Sequence, residues 1–348
     1  MAPSVHLSLI WHSLCFLNDN IMKTLLLIPG ETKDDPAQPR PRQNAEALTA
    51  ALNIAPGSRV ETLNFADAAR DTSPAVRLAR ACGGPEAALS MLGFQRRHQY
   101  DAVCSLGEGV GLPLALLLNT AHTRPGHVCC AHSLSSPRQR LFWNLLQAHR
   151  GLDTVFVSIP SQQDFAEDHL GFSAEKLSLI SPALDEHFFR PGVGQSAAEG
   201  LSDVVGGQAT VWPDSPAERR ALYAGSLFVA LPPCDTDGPT RAEVILEAMA
   251  MGKAVIATRT HGQAEVIIEG VTGLSVAPGD VGGWRQATAR LRDDAALRER
   301  LGRNARRWVE EHATLEQWAE RVRHALHEAA RNESGARLPR RFFGESVI

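Results

Sequence analysis

The amino-acid sequence predicts an α/β fold with two doubly wound domains, of which the second is shorter than the first. The length of 348 residues is that of two ordinary domains. From Met22 onward, short apolar runs alternate with helical stretches, which is the pattern of βαβ units around a parallel sheet. A hydrophobic content of 44% and a charged content of 21% are typical of a globular chain and not of a disordered one.

The first domain is predicted over residues 22–190, with six strands that are read from short apolar runs. These strands are Thr24–Ile28, Arg59–Leu63, Ala102–Leu106, His127–Cys130, Thr154–Ile159 and Lys176–Ile180. The helical stretches between them are Ala45–Leu52, Pro85–Phe94, Leu112–Asn119, Pro137–His149 and Ser161–Leu170. Ser136 supports the start of the fourth helix, because serine caps helix N-termini and proline suits the first turn.

The second domain is predicted over residues 191–331, and residues 332–348 form a polar tail. Its strands are Ala209–Trp212, Leu227–Leu231, Ala254–Ala257 and Leu274–Val276. Its helices are Pro216–Tyr223, Pro239–Met251, Val281–Leu291, Ala295–His312 and Leu315–Ala329. The last helices carry an apolar stripe among many charges, which is the pattern of amphipathic packing.

The interval between Pro191 and Ser226 makes this second domain short. A complete domain of this class needs about five or six strands, at roughly 25–30 residues for each βα step. The interval has room for about one such step. The second domain is therefore expected to lack roughly two βα steps.

The charge and the cysteines exclude several classes of function. A net charge of −4 gives no basic footprint for nucleic acid or for an anionic membrane. The six cysteines form no CxxC pair, so core packing is favoured over metal or redox chemistry. Residues 1–21 lack the basic start of a signal peptide and the ~20 apolar residues of a membrane span, and are expected to be an N-terminal extension. We expect a cytoplasmic protein.

Ligands of open parallel sheets bind beyond the carboxyl ends of the strands, and two such ends in the first domain carry candidate residues. Leu106–Gly111 is a glycine-rich βα turn that presents one polar side chain, Glu108. Its spacing is GxGxG and not the dinucleotide GxGxxG, so a tight structural turn is favoured. His132 follows the strand that ends at Cys130, where a structural role is the commoner one for a single histidine.

Two further ends lie in the second domain. In the segment Asp-Thr-Asp-Gly-Pro, Asp237 is suited to cap the next helix, and the alternative is a DxD metal site. Glu243 and Glu247 share one face of that helix, and a carboxylate at this depth can reach a ribose diol while the helix N-terminus attracts a phosphate. The turn around Gly262 has backbone N–H groups that suit an anion, with a plain turn as the equal alternative.

Three blocks of the second half, LEAMAMGKAVIAT, EVIIEGVTGL and VAPGD, have an order and spacing that resemble the donor-binding half of family 4 glycosyltransferases. The run LRERLGRNARRWVEEHATLEQWAERV continues the resemblance. The first half agrees more loosely, through YDAVCSLGEGVGLPLALLL, HSLSSPRQRLFW and KLSLISPALDEHFFRPG. The resemblance implies the GT-B fold, in which two Rossmann-like domains face each other. It also implies a retaining, metal-independent transfer that needs no cofactor.

The resemblance also assigns roles to residues. Glu247 matches the glutamate that holds the donor ribose, and Gly262 and Gln263 match the turn whose backbone meets the diphosphate or the sugar. His132 matches the histidine that faces the transferred sugar, and it is the expected catalytic residue.

The sequence departs from the family at two places. The family usually carries another glutamate eight positions before Glu247, where this chain has Pro239; Asp237 and Glu243 are the candidates to replace it. The family's Arg and Lys that clamp the diphosphate lie within the two βα steps that are missing here. Arg219 and the arginine that follows it lie in the helix leading to Tyr223 and are not expected to replace this clamp.

The expected function is transfer of a sugar from a nucleotide-diphosphate donor to an unidentified acceptor, which is a sugar, a lipid-linked molecule or a small molecule. Peripheral association with a membrane is compatible with a lipid-linked acceptor. One alternative is a degenerate homologue, impaired in catalysis, that acts as a binding or scaffold protein. Another is an internal deletion between Pro191 and Ser226. A metal-dependent transferase that uses Asp235 and Asp237 is disfavoured, because such enzymes place the DxD motif in a single nucleotide-binding domain.

Overall fold

The computed structural model describes residues 21–30, 45–53, 58–131, 134, 142–143, 146–192, 215–232, 240–260 and 266–333. These residues form two parallel sheets, one of six strands in the order β2-β1-β3-β4-β5-β6 and one of three in the order β7-β8-β9. The first sheet comprises β1 (Met22–Ile28), β2 (Ser58–Asn64), β3 (Ala102–Leu106), β4 (Gly126–Cys130), β5 (Thr154–Val157) and β6 (Leu177–Leu179). The second comprises β7 (Phe228–Leu231), β8 (Ala254–Thr258) and β9 (Gly273–Val276). The predicted α/β class is confirmed.

Helices connect and cover these strands. Those of the first half are α1 (Ala45–Asn53), α2 (Phe65–Arg70), α3 (Pro74–Arg96), α4 (Glu108–Asn119) and α5 (Pro160–Leu170). Those of the second half are α6 (Pro216–Gly225), α7 (Thr240–Ala250), α8 (Val281–Asp293), α9 (Ala295–His312) and α10 (Leu315–Glu333). No helix in these described stretches is both long enough and apolar enough to cross a membrane.

The first sheet is buried on both faces because its side chains alternate between two cores. Leu25 and Leu27 of β1 pack in a core with α3 and α4, whereas Leu26 points to the opposite face. On that opposite face, Trp318 and Val322 of α10 complete the core. The amphipathic pattern of α10 is therefore satisfied by the first sheet, although the helix follows the second sheet in the chain.

The chain crosses between the two halves at two adjacent points. Leu184, which precedes the second sheet, forms a parallel bridge with Thr314, which precedes α10. The Leu184 N–H donates to the Ala313 carbonyl at 3.2 Å. The two crossings thus lie side by side.

Three helices of the first half differ from the predictions. Gly107 adopts φ 92°, so α4 starts at Glu108 and the predicted glycine-rich turn is largely the first turn of this helix. The helix predicted from Pro85 starts at Pro74, with a break at Gly84, whose φ is 76°. The short helix α2 was not predicted; the Asn64 side chain accepts from the N–H groups of its first turn.

The other strands and helices that fall on described residues lie within a few residues of their predicted positions. The predicted strand Ala209–Trp212 and most of the predicted helix Pro137–His149 lie outside the described residues. In the described part of the second half, the sheet has three strands, fewer than the five or six of a complete domain.

Candidate functional site

The candidate site lies between two helices that flank β7. Helix α6 leads into this strand and α7 leads out of it. Helices of a parallel α/β layer run opposite to their strands, so both helix N-termini lie at the carboxyl edge of the sheet, where ligands bind. Arg219 lies about one turn inside α6, and Glu247 lies about two turns inside α7.

Glu247 is a buried carboxylate with two partners on α6, and 4% of its surface is exposed. Arg219 donates from Nε to Oε2 at 2.9 Å and from Nη2 to Oε1 at 2.7 Å. The Tyr223 hydroxyl donates to Oε2 at 2.8 Å. The arginine thus holds the carboxylate through a bidentate pair of charge-assisted hydrogen bonds, the strongest kind between side chains.

The electrostatics of this cluster favour one protonation state. The hydrogen bond to Glu247 raises the pKa of Arg219, and the charge of Glu243 adds to that rise. Burial raises the pKa of Tyr223, and so does the neighbouring charge of Glu247. At neutral pH the arginine is a cation and the tyrosine keeps its proton, so both are hydrogen-bond donors to the carboxylate.

Contacts at both ends of α6 hold this helix in place. The Arg220 guanidinium lies 4.2 Å from the centre of the Phe188 ring. Phe188 belongs to the segment that leads into the second half of the chain. At the other end, Lys253 Nζ donates to the Ala224 carbonyl at 3.1 Å and to the Ser226 carbonyl at 2.8 Å. Such bonds satisfy carbonyls that a helix C-terminus leaves without partners.

Two of the six predicted site residues are described, and they lie together. Glu243 is half-buried in the first turn of α7, one turn before Glu247, and both carboxylates act on Arg219. The other four lie outside the described residues: His132, Asp237, Gly262 and Gln263.

Two residues of the cluster were missed by sequence reasoning. Arg219 was placed correctly in the helix that leads to Tyr223, but neither residue was assigned to Glu247. Their spacing was the available signal, because residues four apart lie on the same face of a helix. A cation and a hydroxyl on one face of α6 predict a carboxylate opposite them.

A separate cavity of about 530 Å³ lies at the other end of the second sheet, next to the start of β8. Its lining includes Lys253, Arg303 and Arg307. Lys253 is bound to backbone carbonyls, and Arg303 pairs with Glu299 at 3.3 Å. The cavity is remote from the N-terminus of α7 and belongs to a different part of the domain.

Comparisons with known proteins bear on the same helix. The family model "Glycosyl transferases group 1" matches residues 241–308, which include Glu247 and extend into α9. The D-inositol 3-phosphate glycosyltransferase of Corynebacterium glutamicum (strain R) is 36% identical over 107 residues, which are 31% of this chain and 24% of that relative. The match thus spans about a quarter of the length of this curated relative.

Solved structures resemble a much larger part of the chain. The Anabaena HepE protein in complex with UDP-glucose has a TM-score of 0.64 at 16% identity, over 88% of this chain and 100% of that one. Sucrose-phosphate synthase from Thermosynechococcus elongatus has a TM-score of 0.62 at 16% identity, over 88% of this chain and 98% of that one. At such low identity the likeness establishes the fold, which is the GT-B fold that the sequence predicts. The family model thus matches the segment that contains Glu247, and most of the chain shares the GT-B fold.

Proposed function

We propose that this chain is a glycosyltransferase that moves a sugar from a nucleotide-diphosphate donor to an acceptor. The observation that carries the proposal is the position of Glu247 on α7, within the segment that matches the family. A carboxylate about two turns inside a helix can accept hydrogen bonds from a ribose, while the helix N-terminus carries partial positive charge for the diphosphate.

UDP-glucose is the first donor to test. It is bound in the Anabaena HepE structure, whose fold this chain shares. The acceptor is proposed as a sugar, a lipid-linked molecule or another small molecule.

The proposed transfer retains the configuration at the anomeric carbon and uses no metal. The positive end of α7 would stabilise the charge that develops on the leaving diphosphate. His132 is proposed to face the transferred sugar. The backbone at Gly262 and Gln263 is proposed to meet the diphosphate or the sugar. Asp237 and Glu243 are the proposed replacements for the glutamate that the family carries eight positions before Glu247.

The test is transfer of radiolabelled sugar from UDP- and GDP-sugars to a panel of lipid and sugar acceptors, with and without a chelator. We expect transfer or donor hydrolysis that the chelator does not abolish, with the product in the donor's anomeric configuration by NMR. Loss of activity in chelator and its return with manganese would contradict metal independence. No turnover and no nucleotide binding would contradict the proposal as a whole.

A second candidate function is nucleotide binding without transfer. The three-stranded second sheet of the described part favours it, because the diphosphate clamp of the family lies in the steps that a complete domain would add. Calorimetry with UDP and GDP separates the two candidates: micromolar binding without turnover would favour a binding or scaffold role.

The proposed setting is the cytoplasm. In the part of the chain that the structure describes, Cys82, Cys104, Cys129 and Cys130 are free thiols. Free thiols suit a reducing compartment. The corresponding measurement is the distribution of the full chain between the cytoplasmic and membrane fractions of cells that express it. A salt wash releases any protein that is bound peripherally to the membrane.

A further inference from the structure

The contacts of Glu247 leave a defined amount of hydrogen-bonding capacity on its carboxylate. An ionised carboxylate has about four acceptor directions, two on each oxygen. Oε2 accepts from Arg219 Nε and from the Tyr223 hydroxyl, and Oε1 accepts from Arg219 Nη2. Within the described part of the chain, one direction on Oε1 is left.

The cluster also fixes the orientation of that direction. The guanidinium is planar and binds through two parallel bonds, which prevents the carboxylate from rotating about its own axis. Tyr223 is 1% exposed and lies edge-on to the Phe189 ring at 6.3 Å, so its hydroxyl is held by packing. The side chains of Arg219 and Glu247 are 18% and 5% exposed, so few waters compete with these bonds.

We propose that Arg219 and Tyr223 are positioning residues that aim the remaining acceptor direction of Glu247 at one hydroxyl of the donor ribose. The inference rests on the proposed function, because it takes Glu247 as the residue that holds the ribose. It adds that Glu247 accepts a hydrogen bond from a single ribose hydroxyl, since three of its four acceptor directions are occupied by protein donors.

The probes are UDP and its 2′-deoxy and 3′-deoxy forms, with GDP and its deoxy forms used if UDP does not bind. Calorimetry on the full chain measures the dissociation constant of each. We expect one deoxy form to bind about tenfold more weakly than the parent, the factor of about one hydrogen bond to a charged group. The other deoxy form is expected to bind within about twofold of the parent.

The variants address the two positioning residues. Tyr223→Phe keeps the buried ring and removes one donor to Glu247; Arg219→Lys keeps the charge and removes the planar pair of bonds. In both we expect the ratio of deoxy to parent dissociation constants to fall from about ten towards one. Arg292→Lys is the matched control, because Arg292 is an exposed arginine at the end of α8 that pairs with Asp293, and its ratio is expected to match that of the unmodified protein.

The outcomes separate the inference from the function on which it rests. The parent nucleotide can bind while both deoxy forms lose affinity equally, or while neither loses affinity. Either result would overturn the single hydrogen bond to the ribose and leave the proposed function standing. The inference would also be overturned if the ratio of deoxy to parent dissociation constants stayed near ten in Tyr223→Phe and Arg219→Lys. Circular dichroism checks that both variants are folded. Failure of every nucleoside diphosphate to bind the unmodified protein would overturn the proposed function, and the inference with it.

Discussion

Gly126, the first residue of β4, lies directly beneath Ala329 of α10. A Cβ added at Gly126 would lie 2.5 Å from the Ala329 carbonyl carbon and 2.7 Å from its Cβ, closer than packed atoms approach. The absence of a side chain at this position therefore allows the helix to lie against the first sheet.

This contact predicts that Gly126→Ala loosens α10. The added methyl forces the backbones apart, and overpacking of this kind costs about 1–3 kcal/mol. We expect a lower urea midpoint and faster proteolysis in the segment that joins α9 to α10. Gly282→Ala is the control, because its Cβ would meet only the Asp280 carboxylate at 3.4 Å. Equal stability of the two variants would contradict the close contact.

His127 predicts a pH dependence of stability. It is fully buried: its Nδ1–H donates to the Gly151 carbonyl at 3.0 Å, so Nε2 accepts from the Ser105 hydroxyl at 3.0 Å. Burial lowers its pKa from 6.5 to about 4. The unfolded chain therefore binds a proton below pH 6.5 that the folded protein does not bind until about pH 4.

The contribution of His127 to the free energy of unfolding is thus complete above pH 6.5, and it is lost as the pH falls from 6.5 to about 4. The slope for one such group is at most about 1.4 kcal/mol per pH unit. Urea unfolding of the unmodified protein and of His127→Gln at several pH values measures it. We expect the difference in unfolding free energy between them to shrink towards pH 4; a constant difference would contradict the assignment.

The buried pair of Arg219 and Glu247 predicts an asymmetric response to mutation. Arg219→Met leaves a buried carboxylate without its cation and is expected to cost about 3–5 kcal/mol. The double variant Arg219→Met/Glu247→Leu removes both charges and is expected to recover most of that loss. Thermal unfolding of the single and double variants checks the prediction, and additive losses would contradict it.

Lys253 predicts a link between the start of β8 and the end of α6. Lys253→Met removes the bonds to the Ala224 carbonyl in the last turn of α6 and to the Ser226 carbonyl just after it. The helix C-terminus is therefore expected to fray, at a cost of about 1–3 kcal/mol. Hydrogen exchange at the backbone amides of residues 223–226 is the measurement, with Lys23→Met as the control. Unchanged exchange rates at these amides would show that other contacts hold the helix end.

Much of the fold was predictable because it depends on local patterns. The run Leu25–Leu27 reads as a buried strand because all three residues are apolar, and the structure buries them on alternate faces. The start of α4 was not predictable in the same way. Glycine is compatible with turn and helix alike, and the choice depends on the positive φ of Gly107, which tertiary packing selects.

The candidate site was only partly predictable for a related reason. Glu247 was identified because its neighbours along the chain repeat a family pattern. Arg219 lies 28 positions away, and its contact with Glu247 depends on how two helices rotate and pack around β7. Sequence spacing predicts which residues share a helix face, but not which other helix that face meets.

The place of α10 in the first core has a consequence for how the protein is made. Ribosomes deliver the first sheet early, yet residues that cover part of one of its apolar faces, such as Trp318 and Val322, are synthesised only after the second sheet. Domains otherwise tend to fold in order of their emergence. Here the part of the face under α10 stays open to chaperones and to other nascent chains until α10 has left the exit tunnel, and a chain that ends at residue 312 leaves that part uncovered.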